Sequence, residues 1–519
     1  MPARSRFASV LFLPEDADLP LAETEPEYFC DLNLDQLVVQ LCRGRSLERL
    51  APLFWTRLRS VEAVRYRQAA IAEVEEPQVA ALVARFVGGF GRVIQQLSLR
   101  RQVRYAWQQR RCLLDAAHQY CRAVTQLSRD LEGCRPRSDG LRGLTEFIAA
   151  YAESTDFQRL RSDVEQTKQQ LDSVTYLLHI HGNRARILLP HDEADLGAQV
   201  ADLFLRFQDM DVDTEPVVYR RAGGFSHIDA AILEHVAALF PEQFAGLSRF
   251  DAEHGGFLDP TVARLARELE FVLACLEFKK RMENVGLPSC YPDVTTKADS
   301  RVEGCYDAAL ASSAAVEVTG PKGGRKAVIR NGFDIRGRER FIVVTGPNQG
   351  GKTTFARMFG QVHHLAALGI PVPGDHAQLG LVDGIYVLFE RQEDAGSDRG
   401  KLQDDLVRIR DILRVATRDS VVVLNEMFSS TSTDDALDLA RKVLDPLLER
   451  GCRGLCVTFL DELASHHPAI VSMVADVDPE DPSHRLFTLS RRPADGRAYT
   501  DSLVAKYRLS RADIKRRVQ

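Results

Sequence analysis

The chain has 519 residues, material for roughly three or four domains. Hydrophobic residues make up 45% and charged residues 27%, which excludes a disordered, collagen-like or disulfide-stapled chain. The formal net charge is −6, so the chain is not a polycation, and any contact with nucleic acid must come from local basic patches.

The N-terminal text, MPARSRFASVLFLPEDADLP, joins two Arg to a short apolar piece closed by acidic residues. It has neither the apolar length nor the small-residue cleavage site of a secretory leader. No run of about 18 apolar residues occurs, so no membrane span is expected. The ten Cys are scattered. Cys452 and Cys456 are the closest pair, in an apolar stretch without His at metal-ligand spacing, and read as buried reduced thiols of a cytoplasmic protein.

From residue 31 to about 290 the pattern is mainly helical, with apolar residues three and four apart in Leu113 to Leu131 and in Pro260 to Met282. Pro260 suits a first helical position and Asp259 an N-cap. Residues 99–111, LRRQVRYAWQQRR, carry five Arg with Tyr105 and Trp107 interleaved. On a continuous helix Arg100, Arg104 and Arg111 share one face. That face suits DNA phosphates, with the aromatics stacking or packing; the other reading is an exposed helical face with Trp107 in the core. Within the helical region, 174–189 reads VTYLLHI, HGN, RARILL, two β-type runs about a Gly-Asn turn. Arg184 and Arg186, two apart, point to one side of their strand. With His179 and His181 they form either a phosphate-facing patch or a solvated hairpin face.

Residues 286–330 are rich in Gly and Pro and read as loops. TGPKGGRKA (319–327) imitates a phosphate loop, but Arg325 and Ala327 replace the Gly and the hydroxyl such a loop needs, so it reads as a surface loop. From Phe341 the texture changes to short β-branched runs between helical patterns: FIVVT (341–345), IYVLF (385–389), VVVLN (421–425) and GLCVTF (454–459). That alternation predicts an α/β domain with a mainly parallel, buried sheet.

Gly346-Pro-Asn-Gln-Gly-Gly351-Lys352-Thr353 satisfies G-x-x-x-x-G-K-[ST] and lies between a strand and a helical run. Its glycines let successive N–H groups turn toward one anion, and the helix N-terminus adds partial positive charge. Lys352 is expected at the β- and γ-phosphates of ATP, and the Thr353 hydroxyl on Mg²⁺. The run VVVLNEMFSSTSTDDA (421–436) delivers acidic chemistry at a strand end. Asn425 occupies the position that usually carries Asp, so it offers an amide carbonyl without charge. Glu426 follows as the expected general base. Together they predict a working but slow ATPase with weakened Mg²⁺ dependence. The adjacent pairs His363-His364 and His466-His467 have no carboxylate or Cys at ligand spacing, so no metal site beyond Mg²⁺ is expected. The tail KYRLSRADIKRRV (506–518) reads as a small basic helix.

These motifs resemble the MutS family of DNA mismatch-repair ATPases. The family's loop reads TGPN-x-GGK-[ST]-T, and this chain has TGPNQGGKTT (345–354). NEMFSSTSTDD matches the family's Walker B segment at Thr431, Ser432, Thr433 and Asp435, and GIPVPGDHAQLGLVDGIY (369–386) resembles the segment between. FWTRLRSVEAVRYRQAAIAEVE (54–75) resembles the start of the family's core domain, and the text from Arg264 to Val294 its lever helices. The likeness covers about 30–515 and is most specific over 341–463.

The resemblance implies a C-terminal phosphate-loop, ABC-like ATPase domain (301–490), preceded by an all-α core and lever domain (31–300) whose hairpin at 174–189 is an inserted DNA clamp. Residues 1–30 would be an N-terminal extension, and 491–519 a helical element supporting a homodimer. Gly346, Pro347, Asn348, Gln349, Gly350, Gly351, Lys352, Thr353 and Thr354 would bind ATP, Thr353 and Asn425 the metal, and Glu426 and Lys352 would be catalytic. The partner subunit would close the site with a signature loop that aligns with GKLQDD (400–405), where Gly400 replaces a Ser and Ser397 would stand in for it. The family's Thr-His switch aligns with Thr458-Phe459, so the His is missing. These departures put fast hydrolysis in doubt while leaving nucleotide binding intact. Only about 30 residues precede Asp31, so a MutS-like protein without the mismatch-reading and connector domains is expected. Its implied function is to bind ATP and hydrolyse it slowly at a dimer interface, gating a clamp on duplex, branched or mismatched DNA in repair or recombination, with DNA and a further repair protein as partners. The alternative is a nucleotide-dependent protein-interaction switch that does not act on DNA.

Overall fold

The structure is a computed structural model that describes residues 7, 9–181, 184–189, 227–318, 328–390, 401–478, 480–481 and 484–494. In chain order the first helices are α1 (Tyr28–Asp31), α2 (Leu34–Leu41), α3 (Leu47–Trp55), α4 (Val61–Val74), α5 (Pro77–Gln102), α6 (Ala106–Cys134), α7 (Asp139–Ala152) and α8 (Thr155–Asp172). The hairpin follows as β1 (Leu177–His181) and β2 (Arg184–Leu188), and then α9 (His227–Leu239), α10 (Pro241–His254) and α11 (Pro260–Glu283). Serine hydroxyls start several of these helices: Ser46, Ser60 and Ser154 accept from Arg49, Ala63 and Phe157 N–H. Asp259 caps α11 as expected, its Oδ1 accepting from Thr261 N at 2.8 Å and Val262 N at 3.0 Å.

The remainder alternates strand and helix. It contains β3 (Ser289–Cys290), β4 (Asp293–Thr295), β5 (Ser300–Cys305), α12 (Ala308–Val318), β6 (Asn331–Ile335), β7 (Phe341–Thr345), α13 (Lys352–Ala367), β8 (Val372–Pro373), β9 (His376–Gly380) and β10 (Ile385–Leu388). It ends with α14 (Lys401–Val415), β11 (Val421–Asn425), α15 (Thr433–Arg450), β12 (Arg453–Val457), β13 (Ile470–Val477) and β14 (Arg485–Arg491).

The chain divides into two compact units. One comprises residues up to 83, 135–144 and from 264 onward; the other comprises 84–134 and 145–263. The second unit is helical and carries the hairpin. In it Trp107 packs edge-on to Phe244 at 5.0 Å, in a cluster with Val174, Ile187, Val236 and Phe240. The hairpin is antiparallel, and its register sets His179 opposite Arg186 and His181 opposite Arg184. All four positions therefore share one face, while Ile187 on the other face joins the cluster.

The first unit is built on a six-stranded sheet ordered β10-β11-β12-β7-β13-β14. All neighbours are parallel except β13 and β14. β7, β11 and β12 are buried along their whole lengths, and β7 and β11 accordingly read as near-continuous apolar runs, FIVV and VVVL. The mixed α/β texture expected from Phe341 onward is present. A second sheet, β4-β9-β5-β6, was not anticipated, because its strands carry Gly, Asp, Arg and Gln and lack an apolar run.

Two local expectations are corrected. Residues 99–111 are not one helix: α5 ends at Gln102 and α6 begins at Ala106. Arg100, Arg104 and Arg111 thus lie on a helix end, in a connection and on a second helix, not on one face. The break is stabilised by Gln109, whose side-chain amide donates to Val103 O at 2.9 Å. The strand in 454–459 stops at Val457, so Thr458 and Phe459 lie beyond the sheet. Cys452 and Cys456 are buried, as expected, and none of the ten Cys is in a disulfide; Cys30 is exposed. The turn at 182–183, the loop 319–327 and the tail 506–518 lie outside the described residues.

Candidate functional site

The phosphate-loop sequence connects β7 to α13 at the C-terminal edge of the parallel sheet. Three of its residues take left-handed backbone conformations: Gly346 (φ 111°), Gln349 (φ 59°) and Gly351 (φ 87°). At Gly346 a Cβ would sit 3.0 Å from Ala475 N, so neither the backbone angle nor the space admits a larger residue. Gly351 caps α13, whose first-turn N–H groups have no intrahelical acceptor. The loop therefore ends in a turn of free donors at the positive end of a helix.

Lys352 is 5% exposed. Its Nζ donates to Gly346 O at 2.9 Å and Pro347 O at 3.1 Å. The ammonium also lies 4.6 Å from the centroid of the Phe459 ring. Burial lowers the Lys352 pKa below its ordinary value; the Glu426 carboxylate opposes that shift and Arg485 adds to it. Phe459 is held just past β12 by Thr458, whose N–H donates to Val344 O at 3.0 Å and whose Oγ1 accepts from Leu460 N at 3.1 Å.

Asn425 ends β11 and is 6% exposed, and its Oδ1 has no hydrogen-bond partner. Glu426 follows with φ 56°, a left-handed conformation unusual for a residue with a side chain, and Phe428 repeats it at φ 58°. The Glu426 N–H is fixed on Val457 O at 2.9 Å. Of the acidic text after it, Ser432 caps α15: its Oγ accepts from Asp435 N at 3.3 Å and donates to Asp435 Oδ2 at 2.7 Å.

Lys352, Thr353, Thr354, Asn348 to Gly351 and Glu426 line one cavity of about 550 Å³. Gly346, Pro347 and Asn425 are not on that wall. Sequence reasoning missed its apolar side, formed by Leu310, Val328, Ile329, Met358 and Phe487. Phe487 is itself left-handed, with φ 60°. Asn331 fastens it, donating from Nδ2 to Phe487 O at 3.1 Å and accepting at Oδ1 from Leu489 N at 2.9 Å. No one-dimensional motif marks Asn331 or Phe487, which are 156 residues apart. Asp307 on the same wall is buried and takes Gln361 Nε2 at 2.8 Å and Leu310 N at 3.1 Å; burial raises its pKa. Ser397 and Gly400 lie outside the described residues.

Magnesium, which a phosphate loop of this type implies, takes hard oxygen donors. The unpartnered Asn425 Oδ1 and the Thr353 hydroxyl are such donors, so the residues present fit it. Elsewhere, among the described residues, Asp163, Glu253 and His254 gather their ligand atoms within 4.8 Å. There the Arg159 guanidinium already pairs with Glu253 at 2.9 Å and Asp163 at 3.7 Å.

Of the residues expected to meet DNA, Arg100 pairs with Asp251 at 2.8 Å and Arg111 with Asp115 at 3.0 Å. Arg110 stacks on Trp107 at 4.5 Å. Arg104 and Arg186 are exposed and carry no carboxylate partner among the described residues. Arg184 shares the hairpin face by register.

Residues 342–496 match the family described as MutS domain V. The DNA mismatch repair protein MutS of Thermotoga petrophila is 30% identical over 224 residues, 40% of this chain and 28% of that protein. MutS of Syntrophomonas wolfei is 33% identical over 146 residues, 27% of this chain and 17% of that protein. Endonuclease MutS2 of Thermus thermophilus is 28% identical over 193 residues, 36% of this chain and 25% of that protein. The chain thus spans 28% or less of the length of these relatives.

Proposed function

We propose that this chain, a MutS-family protein through the domain V in residues 342–496, binds ATP in the cavity beside Lys352, hydrolyses it slowly, and uses the exchange to change its hold on DNA. The observation that carries the reading is that Lys352 and Glu426 line one cavity of about 550 Å³, at the C-terminal edge of the sheet. A phosphate-binding cation and a carboxylate base are there within one ligand's reach, at the sheet edge where α/β folds hold their ligands.

In this reading the first-turn N–H groups of α13 and the Lys352 ammonium hold the β- and γ-phosphates. Apolar contact with Val328, Ile329 and Phe487 holds the base. Thr353, on the cavity wall, and Asn425, buried behind it at the end of β11, would hold Mg²⁺, which would neutralise phosphate charge. Glu426 takes the proton of the attacking water on its carboxylate oxygen. Asn425 contributes a carbonyl dipole in place of a charge, so the metal is held weakly and turnover is slow. A partner copy, with the loop around Ser397 to Gly400, would complete the site.

DNA is the proposed macromolecular ligand, as duplex, branched or mismatched DNA in repair or recombination, with a further repair protein as partner. Support comes from the mismatch-repair and endonuclease functions after which the MutS relatives are named, and from the hairpin face on which His179, His181, Arg184 and Arg186 lie by register. The second reading is the protein-interaction switch. It draws support from Arg100 and Arg111, whose charges Asp251 and Asp115 already meet.

Binding to duplex, mismatched duplex and a four-way junction, with and without ATP–Mg²⁺ and at two salt concentrations, decides between them. Tight binding that weakens with salt and shifts with ATP is expected. ATP binding without DNA binding at low salt moves the conclusion to the switch. Lys352→Ala is expected to abolish tight ATP binding; retained affinity removes the nucleotide assignment.

A further inference from the structure

A second cavity, of about 460 Å³, opens at the opposite edge of the sheet. One wall is the stretch from Trp55 to Arg59 that joins α3 to α4, and the other is the approach to β10 and β11 at Leu381 to Asp383 and Asp419. Thr56 is extended, with φ −95° and ψ 105°, so alternate side chains of the stretch face alike. Trp55, Arg57 and Arg59 line the cavity.

The polar atoms on this wall are unbalanced. Arg57 Nη2 donates to Asp383 O at 3.0 Å, but Arg57 Nη1 and Trp55 Nε1 are buried donors without an acceptor. A buried donor without an acceptor is destabilising, so a folded chain leaves few of them without reason. Arg59 adds an exposed cation with no carboxylate partner among the described residues. Across the cavity the Asp383 carboxylate is already taken up by the Thr417 and Ser420 hydroxyls, the latter at 2.7 Å from Oδ1.

We propose that this cavity is a binding site for a small anion carrying phosphate or carboxylate groups, held by Arg57, Arg59 and the Trp55 indole N–H. The two guanidiniums and the indole supply donors only; opposite them Asp383 is taken up by hydroxyls and Asp419 lies 3.9 Å from Arg418, so the ligand must supply acceptors to the Arg57 and Arg59 wall.

The site is joined to the phosphate loop by a rigid element. Helix α13 starts at Lys352 and runs for 16 residues, about 24 Å at the α-helical rise. At its far end Ala367 O accepts from Leu58 N at 2.9 Å, and His364 Nε2 donates to Phe54 O at 3.0 Å. The segment that carries Trp55 and Arg57 is thereby bonded to the end of the helix that begins at Lys352.

Trp55 is its own reporter, because the chain has two Trp and Trp107→Phe leaves it alone. In that background inorganic phosphate, pyrophosphate and citrate are titrated at constant ionic strength, with chloride as the control. A saturable change in Trp55 emission is expected with at least one of them, and comparing citrate with the phosphates identifies the preferred headgroup. Arg59→Gln, at an exposed position, is expected to weaken the response roughly tenfold, the loss of one charge-assisted hydrogen bond. Arg57→Gln should do the same or more. Lys352→Ala should leave it within about twofold, which separates this site from the nucleotide cavity. The proposal is overturned by emission that none of the three anions changes. It is equally overturned by a response that survives Arg59→Gln but disappears in Lys352→Ala, since that signal would belong to the phosphate loop.

Discussion

The Lys352 ammonium lies 4.6 Å from the centroid of the Phe459 ring, at the point where β7 and β12 deliver the phosphate loop and Thr458 side by side. The ring covers the cation without offering it, or a phosphate beside it, a hydrogen bond. Phe459 is half exposed, so the residue is not part of the core. Phe459→His puts a donor and acceptor at the same place while keeping an aromatic ring near Lys352. ATP affinity is expected to stay within about threefold, and turnover to rise several-fold. Equilibrium nucleotide binding and phosphate release measure the two separately. Turnover no higher than wild type means that the ring does not face the reacting phosphate.

Asn425 and Glu426 are neighbours with different parts to play. Glu426→Ala should preserve ATP binding and lower hydrolysis by about 10²-fold or more, the usual loss for a general base. Asn425→Asp adds a charge at a buried oxygen that has no hydrogen-bond partner. Without a cation that charge is costly, so the variant should gain both Mg²⁺ dependence and turnover. Hydrolysis measured against Mg²⁺ concentration tests both. An unchanged Mg²⁺ midpoint in Asn425→Asp removes Asn425 from the metal site.

The phosphate loop was legible because its chemistry is local. Gly346, Gly351 and Lys352 act within eight residues, and the strand and helix on either side carry strong apolar patterns. The buried strands were legible for the same reason. The apolar wall of the cavity was not, since Asn331 and Phe487 meet across 156 residues and neither belongs to a motif. The break between α5 and α6 escaped because Val103, Arg104 and Tyr105 include neither Gly nor Pro. What marks it is a tertiary detail, the Gln109 amide on Val103 O. The ion pairs of Arg100 and Arg111 were invisible in part for a similar reason. Asp115 is four residues from Arg111, at a spacing any helix offers, but Asp251 reaches Arg100 only through the fold.

Those ion pairs sort the basic residues into two groups. Arg104 and Arg186 carry charges no carboxylate meets among the described residues, whereas Arg100 and Arg111 are paired. Neutralising a residue that touches phosphate should weaken DNA binding for every sequence and lower the salt slope by about one. Arg186→Gln and Arg104→Gln are expected to do so. Arg111→Gln should change the slope less, because its charge is already balanced. Equal slopes for all three variants and the wild type would show that DNA binds elsewhere.

His363 and His364 make stability depend on pH. Both are buried near the C-terminal end of α13, and burial lowers each pKa from 6.5 to about 3. His363 Nδ1 donates to Phe359 O at 2.7 Å; His364 takes the Tyr28 hydroxyl at 3.1 Å on Nδ1 and donates from Nε2 to Phe54 O. Both rings are therefore neutral when folded. The unfolded chain binds protons on them below about pH 6.5, while the folded chain does not until about pH 3. Their contribution is thus complete above pH 6.5 and is lost as pH falls, at about 1.4 kcal/mol per pH unit for each ring. At pH 6.5 the unfolded rings are half protonated, so the pair predicts a loss of roughly 2 kcal/mol between pH 6.5 and 5.5. Asp307 and Glu268, whose pKa values burial raises, act in the opposite sense and reduce the slope at lower pH. Denaturant unfolding at pH 7.5, 6.5 and 5.5 reads the effect. His363→Phe keeps a ring between Phe333 and Phe359 and removes one titrating group, so about half the pH dependence should go with it. A variant that loses stability with pH as steeply as the wild type would mean that His363 is already reached by protons in the folded state.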